Sequence, residues 1–572
     1  MLERQTLKPQ TFNQLQYERP DFEAFDKNFQ RLLDEFHTAA DASTQLALFD
    51  AINDTYKNFA SLYNLAHIRH TINTKDPFYA AEHSYFDQVM PRFQNLNNEF
   101  YKALLSAPFR RELEQHYGTR LFHIAQQSIH TLDERIVPLK QEENKLISKY
   151  TRLKAQASVQ VKGKSYNLST IRKLEQSSDR TERQLAYSAK WGYFEQHQHS
   201  IEDTYGHLVR NRHQQARELG YDNFIQLAYD RLMRTDYSPQ DIAHYREQIA
   251  THVVPLASEI YAEQRRRLQL DTLHHCDEGV FYAEGDPAPQ GSESELIEKA
   301  AQLYRELSPE TDSFFAHMRQ HQYMHLDSSD GKAIGGYCTF IPSVRSPFIF
   351  SNFNGTSHDI DVLTHEAGHA FQIFQSRNYE VLEYVWPTLD ACEIHSMSME
   401  FITWPWMHLF FGESTERYKL KHLSSAITFL PYGAAIDAFQ EFVYTHPEAS
   451  NADRNAAWRD IEQRFLPHRN YEQIPYLQQG TFWQQQKHVF AVPFYYIDYT
   501  LAQVCALQYW DWFRSDSKGA WESYLNLCRA GGSSSFLDLI RQAGLRSPFE
   551  SGLILDVLGP VKQWLNADSP GN

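Results

Sequence analysis

The sequence predicts a mainly α-helical protein with a small sheet beside its functional site. Three observations lead there. Apolar residues recur at three- and four-residue spacing through most of the 572 residues, which marks amphipathic helices. Only the stretches 159–168 and 330–359 carry the alternation and turn residues of strands. No run of 18 or more apolar residues occurs, so no membrane span is expected.

The elements follow in order. "RPDFEAFDKNFQRLLDEFHTAA" sets Phe22, Phe25, Phe29, Leu32, Leu33 and Phe36 on one stripe. Similar stripes continue to about residue 150. "VQVKGKSYNL" then predicts a hairpin, with Lys162-Gly163 as its turn. "LSTIRKL" restarts helix, with Ser169 as candidate N-cap. A boundary near this point divides an N-terminal helical lobe, 1–170, from a catalytic region, 171–572. Helices resume until "GGYCTFI" and "PFIFSNF", two strands joined by a loop holding Arg345, Ser346 and Pro347. Helix returns afterwards and closes in a polar tail, "NADSPGN", expected to fray.

Charge and cysteines narrow the function. The formal charge is −17, from 55 basic and 72 acidic side chains. That disfavours nucleic acid as the main partner. The first twenty residues lack the apolar core of a signal peptide. Cys276, Cys338, Cys392, Cys505 and Cys528 are odd in number and far apart, with no CxxC spacing. Idle thiols in a reducing compartment, the cytoplasm, are the expectation.

The stretch "LTHEAGHAFQ", 363–372, carries the chemistry. Two histidines four apart on a helix differ by about 40° around the axis and about 6 Å along it. His365 and His369 can therefore reach one ion, and Glu366 can reach a water beside it without joining the ligands. Chance would place roughly 0.1 such motifs in a chain of this composition, so the motif needs support. The helical context gives some. Thr356 and Asp359 fit a capping box, Asp361 suits the first turn, and Asn378 could close the end. Gly368 costs a helix about 1 kcal/mol against alanine; something packs close there, or the position is a concession.

A catalytic zinc usually takes three protein ligands. Position 375 is Gln, so no third histidine extends the motif. The next helix, "TLDACEIHSMSMEFITW", offers Asp390, Glu393 and Glu400. Glu393 is favoured as ligand and Glu400 as the acid orienting a histidine. Glu393 could instead serve as a helix-start cap with Asp390.

"HEAGH", "EIHSMSME" and the preceding "GGYCTFIPSVRSPFIFSNFNGTS" resemble the oligoendopeptidase F-related branch of the thimet oligopeptidase (M3) family of zinc metallopeptidases. The likeness continues through "HLVRNRHQQARELGYDNFIQLAYDRL", "FLPYGAAIDAFQEFVYTHP" and "HVFAVPFYYIDYTLA", about the last 400 residues. The resemblance implies a two-lobed helical clamshell with a deep substrate channel and a small β-sheet beside the zinc site. It implies one Zn²⁺ on His365, His369 and Glu393, with Glu400 behind them. The sheet would pair with substrate backbone, which makes Gly335, Gly336, Tyr337, Phe350 and Asn352 candidate substrate contacts. His395, where the family pattern has a small residue, is another. His488, Tyr495, Tyr496 and Tyr499 would stabilise the oxyanion. The implied function is zinc-dependent endopeptidase action on short, unstructured oligopeptides, with Glu366 as general base. The alternatives are a carboxypeptidase or dipeptidase on a related scaffold and, from another class, an inactive peptide-binding protein. Short peptides are the expected partners, without nucleic acid or membrane.

Overall fold

Helix caps and turn residues punctuate the chain where side-chain chemistry requires. In the computed structural model, which describes residues 10–471 and 474–567, Asp21, Asp41 and Asp76 each accept a first-turn N–H. These caps open the long helices of the N-terminal part, Phe22–His37, Ala42–Ile72 and Pro77–Leu105. Strands β1 (Val159–Val161) and β2 (Lys164–Tyr166) form the expected hairpin. Lys162 and Gly163 both take positive φ, 50° and 77°, as a two-residue hairpin turn demands. Ser169 is not the N-cap expected of it. The Asn167 side chain instead takes the N–H groups of Ser169 and Thr170, and the helix starts at Arg172. Residues 1–9 of the start, and the tail beyond Ala567, lie outside the described residues. Among the described residues no helix is long and apolar enough to cross a membrane.

Two hydrophobic cores give the two lobes. One gathers residues between Phe22 and Ala125; the larger takes Phe12, Leu15, Leu65 and Ile68 and then runs from Leu146 to Val561. The smaller core takes two residues from far downstream, Val381 and Tyr384. They belong to the connector 377–388, which is tied to the N-terminal lobe at several points. Asn53 donates to Glu380 O. Tyr101 donates to Glu383 at 2.8 Å. The Tyr384 hydroxyl receives Leu121 N–H and donates to Tyr117 O, both at 2.8 Å. On its other side the connector is held by Gln372 and Ser376, which both donate to Val385 O.

The second sheet has the order β3-β5-β4. β3 (Met324–His325), too short to show in the sequence, runs parallel to β5 (Ser346–Phe350). β4 (Tyr337–Ile341) runs antiparallel to it. The connecting loop is 342–345, so Ser346 and Pro347 belong to the strand. β5 is buried along its whole length, which explains its unbroken apolar run. Pro347 is tolerated in this central strand because its nitrogen faces the β3 side at a level where β3 has not yet begun.

From the sheet the chain enters the motif helix, His358–Ser376. The proposed Thr356–Asp359 box does not form. The Asp359 carboxylate accepts instead from Asn354 N and Gly355 N, and the helix ends before Asn378. The ligand helix, Leu389–Ile402, crosses the motif helix at Gly368. A Cβ there would sit 2.6 Å from Ser396 Cα and 2.7 Å from His395 O. Gly368 is therefore where two helix backbones touch.

Gly368→Ala reverses the usual helix preference. Alanine gains about 1 kcal/mol at an open helical site, but overpacking here costs about 1–3 kcal/mol. The expected result is a lower thermal unfolding midpoint; an unchanged or raised midpoint would mean the crossing is not tight.

Candidate metal and catalytic centre

The crossing brings three ligand atoms together. His365 Nε2 lies 3.2 Å and His369 Nε2 3.4 Å from Glu393 Oε2. Among the described residues this is the one group of three such side chains whose ligand atoms all lie within 4.8 Å of one another. Zinc bonds of about 2.0–2.1 Å in tetrahedral arrangement would put ligand atoms about 3.3 Å apart. The spacing and the His₂Glu donor set both fit one zinc ion. A second observation agrees. Glu366 is buried, and its Oε2 has no hydrogen-bond partner within the protein, a costly state for a carboxylate that nothing else engages.

Charge is distributed around this point by burial and by neighbours. Burial opposes charge on His365, but Glu393 and Glu400 outweigh it and lift its pKa well above the usual imidazole range. Burial would raise Glu393, yet His369 and His365 hold it well below the carboxylate range. A bound dication takes the place of the protons on such ligands. Glu366 is raised, chiefly by burial. Glu400 accepts from His365 Nδ1 at 2.7 Å and from His422 Nε2 at 2.8 Å. Against the effect of burial, those bonds bring its pKa down to about 2.

Glu393 is itself held. Tyr495 donates to its Oε1 at 2.9 Å and Ser396 Oγ to its Oε2 at 2.9 Å. On the opposite wall, Gly336 leaves room beside the general-base candidate: a Cβ there would sit 3.3 Å from Glu366 Oε1.

The free edge of the sheet is defined by backbone parity. Ile349 and Ser351 send their N–H groups to Tyr323 O and His325 O on the β3 side. The Cys338–Ile349 pair is therefore a non-hydrogen-bonded pair, and Cys338 N–H and C=O point off the open edge of β4. The Phe340 carbonyl points the same way and is taken by Asn64 Nδ2 at 2.7 Å. An extended peptide added here would meet Cys338 and stop at Asn64.

His488 (on helix Lys487–Ala491) and the tyrosine helix Tyr496–Ser515 face the same region. Two buried arginines pin the segment between. Arg212 donates to Phe490 O, and Arg234 donates to Phe494 O and Asp498. Phe494 has φ 67°, a strained value for a large side chain. Gln440 secures its N–H at 2.9 Å. The His488 ring centroid lies 5.8 Å from Tyr495 and Tyr499 and 4.9 Å from Tyr496. Tyr496 is also surrounded by Phe429 and Tyr432. A hydrogen-bond chain sets the His488 tautomer. Tyr432 donates to Gln486 Oε1 at 2.9 Å, and Gln486 Nε2 donates to His488 Nδ1 at 2.7 Å. The ring proton therefore sits on Nε2. Burial, then Lys487, lowers the His488 pKa to about 4, so the neutral N–H donor persists through the neutral range.

His365, Glu366, His369, Glu393, Glu400 and Tyr495 are thus drawn to one point, with Gly336 beside them and His488 and Tyr499 in ring contact. Other candidates fall elsewhere. Phe350 is 1 % exposed and stacks on Tyr337, so its side chain meets the core rather than a peptide. His395 is wholly buried and bonds Ala391 O from Nδ1, so it does not line a channel. Asn352 spends its amide on Ala333 O and Gly335 O, shaping the loop before β4. The Tyr337 hydroxyl is engaged by Thr71 at 2.6 Å. His422, Gln486, Arg212 and Arg234 were not singled out in the sequence. Each acts through another residue, and no local spacing announces that.

Comparison with known proteins adds independent findings. Residues 173–292 and 309–556 match the family model Peptidase family M3, and residues 12–132 match Peptidase M3 N-terminal domain. The structure of PZ peptidase A with inhibitor 2 is 46% identical, with TM-score 0.94, covering 98% of this chain and 99% of that one. A Bacillus anthracis str. Ames protein assigned as oligoendopeptidase F is 42% identical, with TM-score 0.90 and the same coverage. Group B oligopeptidase PepB of Streptococcus agalactiae serotype III (strain NEM316) is 23% identical over 229 residues, 40% of this chain and 37% of that protein.

The His488 environment can be titrated. Because its folded pKa is depressed, the unfolded chain binds the extra proton first, and this residue's contribution to stability is lost as pH falls from about 6.5 towards about 4. NMR of the imidazole should give a midpoint near 4, and Gln486→Glu should raise it. A midpoint near 6.5 in the parent protein would contradict the buried, amide-bonded ring.

Proposed function

We propose that this chain, which belongs to peptidase family M3 and is a metalloendopeptidase, uses zinc and the Glu366 carboxylate to hydrolyse short, unstructured oligopeptides. The observation that carries the reading is the convergence of His365, His369 and Glu393 beside the unpaired oxygen of Glu366. Zinc, when bound, would supply Lewis-acid polarisation of the scissile carbonyl and a water acidic enough to deprotonate near neutral pH.

The chain's own residues supply the rest. Glu366 takes the proton of the attacking water as the C–O bond forms, then gives it to the amine as the C–N bond breaks. Its burial raises its pKa, which brings the two proton transfers closer to balance. His488 Nε2–H and the Tyr499 hydroxyl donate to the carbonyl oxygen as it gains charge. Tyr495, bonded to Glu393, orients that carboxylate. The substrate lies extended along β4 and exchanges backbone bonds with Cys338. Such pairing needs an unfolded chain, which suits oligopeptides better than folded proteins. The five free cysteines support the cytoplasm as the compartment.

Glu366→Gln should cut turnover of a quenched peptide by about 10²- to 10⁴-fold while zinc content stays at one per chain. Near-wild-type turnover with zinc bound would sink the assignment. His488→Gln and Tyr499→Phe should each lower kcat by about 10²- to 10³-fold with little change in KM. Mass-spectrometric mapping of a long peptide, with and without a blocked C-terminus, should give the same internal cuts; loss of cleavage on blocking would mark an exopeptidase.

A further inference from the structure

Behind the metal centre, Glu400 faces two imidazoles, and the second leads outward to an indole. Glu400 Oε1 lies 2.7 Å from His365 Nδ1, and Oε2 lies 2.8 Å from His422 Nε2. Trp404 Nε1 lies 3.2 Å from His422 Nδ1. The His422 side chain is 8% exposed. Its ring is enclosed by Phe401, Trp404 and Tyr418, at centroid distances of 4.9, 5.9 and 5.7 Å.

The direction of each bond follows from the outermost group. An indole N–H can only donate. His422 Nδ1 must therefore accept, and it carries no proton. The proton of that ring sits on Nε2 and is donated to Glu400. An ionised carboxylate can only accept, so His365 must present an N–H at Nδ1. Nε2, the atom that faces Glu393 and His369, is then the nitrogen left to give up its proton to a metal ion. Burial disfavours a charged His422 ring, but Glu400 outweighs it and raises its pKa above the usual imidazole range. The indole opposes charging as well, because a second proton on Nδ1 would meet the Trp404 N–H head on.

We propose that Trp404 and His422 are positioning residues that act through Glu400 to fix the Nδ1–H tautomer and ring orientation of His365 required of a metal ligand. The inference rests on the reading of His365, His369 and Glu393 as a zinc site. Glu400 alone could accept from His365 in more than one orientation. With its second oxygen tied to His422, and His422 tied to the indole, one arrangement remains.

The test is zinc affinity of the full-length protein, by competition with a chromophoric chelator, together with the visible spectrum of the cobalt-substituted form. His422→Leu should weaken zinc binding by about 10- to 100-fold and alter the cobalt bands. His422→Gln should restore both towards wild type, since its amide can accept from the indole and donate to Glu400 at once. Trp404→Phe keeps an aromatic ring and removes the N–H; it should weaken binding by about tenfold and alter the cobalt bands. In the zinc-loaded wild-type protein, ¹⁵N-detected NMR should show His365 keeping its proton at Nδ1 and His422 carrying its proton at Nε2. Zinc affinity and cobalt spectrum unchanged in a folded His422→Leu would overturn the proposal. If that variant does not fold, unchanged affinity and spectrum in Trp404→Phe overturn it equally. Failure of the wild-type protein to bind zinc would be a different result, overturning the metal centre itself.

Discussion

The cluster of His365, His369 and Glu393 depends on two helices meeting with nothing between their backbones. At Gly368 a single hydrogen separates the motif helix from Ser396 and the His395 carbonyl. That contact fixes how far Glu393, one turn before Ser396, stands from His365 and His369. The tyrosine helix packs on the ligand helix from another side, so every residue from Asp390 to Met399 is buried. At the crossing itself the ligand helix presents the small Ser396, whose Cα meets Gly368. A ligand helix enclosed in this way has little freedom to drift, which a preorganised site needs.

Histidines of one chemical type serve opposite ends here because their neighbours differ. His488 receives a hydrogen bond at Nδ1 from an amide and so offers its proton at Nε2. His365 donates from Nδ1 to a carboxylate and so leaves Nε2 as the nitrogen a metal ion would take. One is set up as a donor to an oxygen, the other as a ligand. In each case the deciding group stands one or two bonds further out: Tyr432 behind Gln486, and His422 behind Glu400. The segment carrying His488 and Tyr495 shows the same layering. Arg212 and Arg234 never approach the reacting atoms, yet they pin the two carbonyls flanking the turn between His488 and Tyr495.

Much of this was legible in the sequence where chemistry and spacing coincide. The HExxH turn, the glutamate on the next helix, the Lys162-Gly163 turn and the mainly helical architecture all declare themselves through local period or turn chemistry. What depends on distant partners does not. β3 has two residues, and its existence rests on pairing with β5. Asp359 looked like half of a capping box but is drawn back to Asn354 and Gly355. Phe350 and His395 lie close in sequence to functional residues, but strand alternation and helical rotation turn them into the core. Gly368 was recognisable as an anomaly, and only the crossing helix supplies its reason.

The connector 377–388 joins the two helices that carry the ligands, yet Val381 and Tyr384 sit in the core of the other lobe. Its far side is fastened to the motif helix through Gln372 and Ser376. A hinge between the lobes cannot turn freely at this point without pulling on the span between His369 and Glu393. The packing of the smaller core and the span between the proposed ligands therefore share one connector. Whatever wedges the lobes apart draws on the same tether that spaces the ligands.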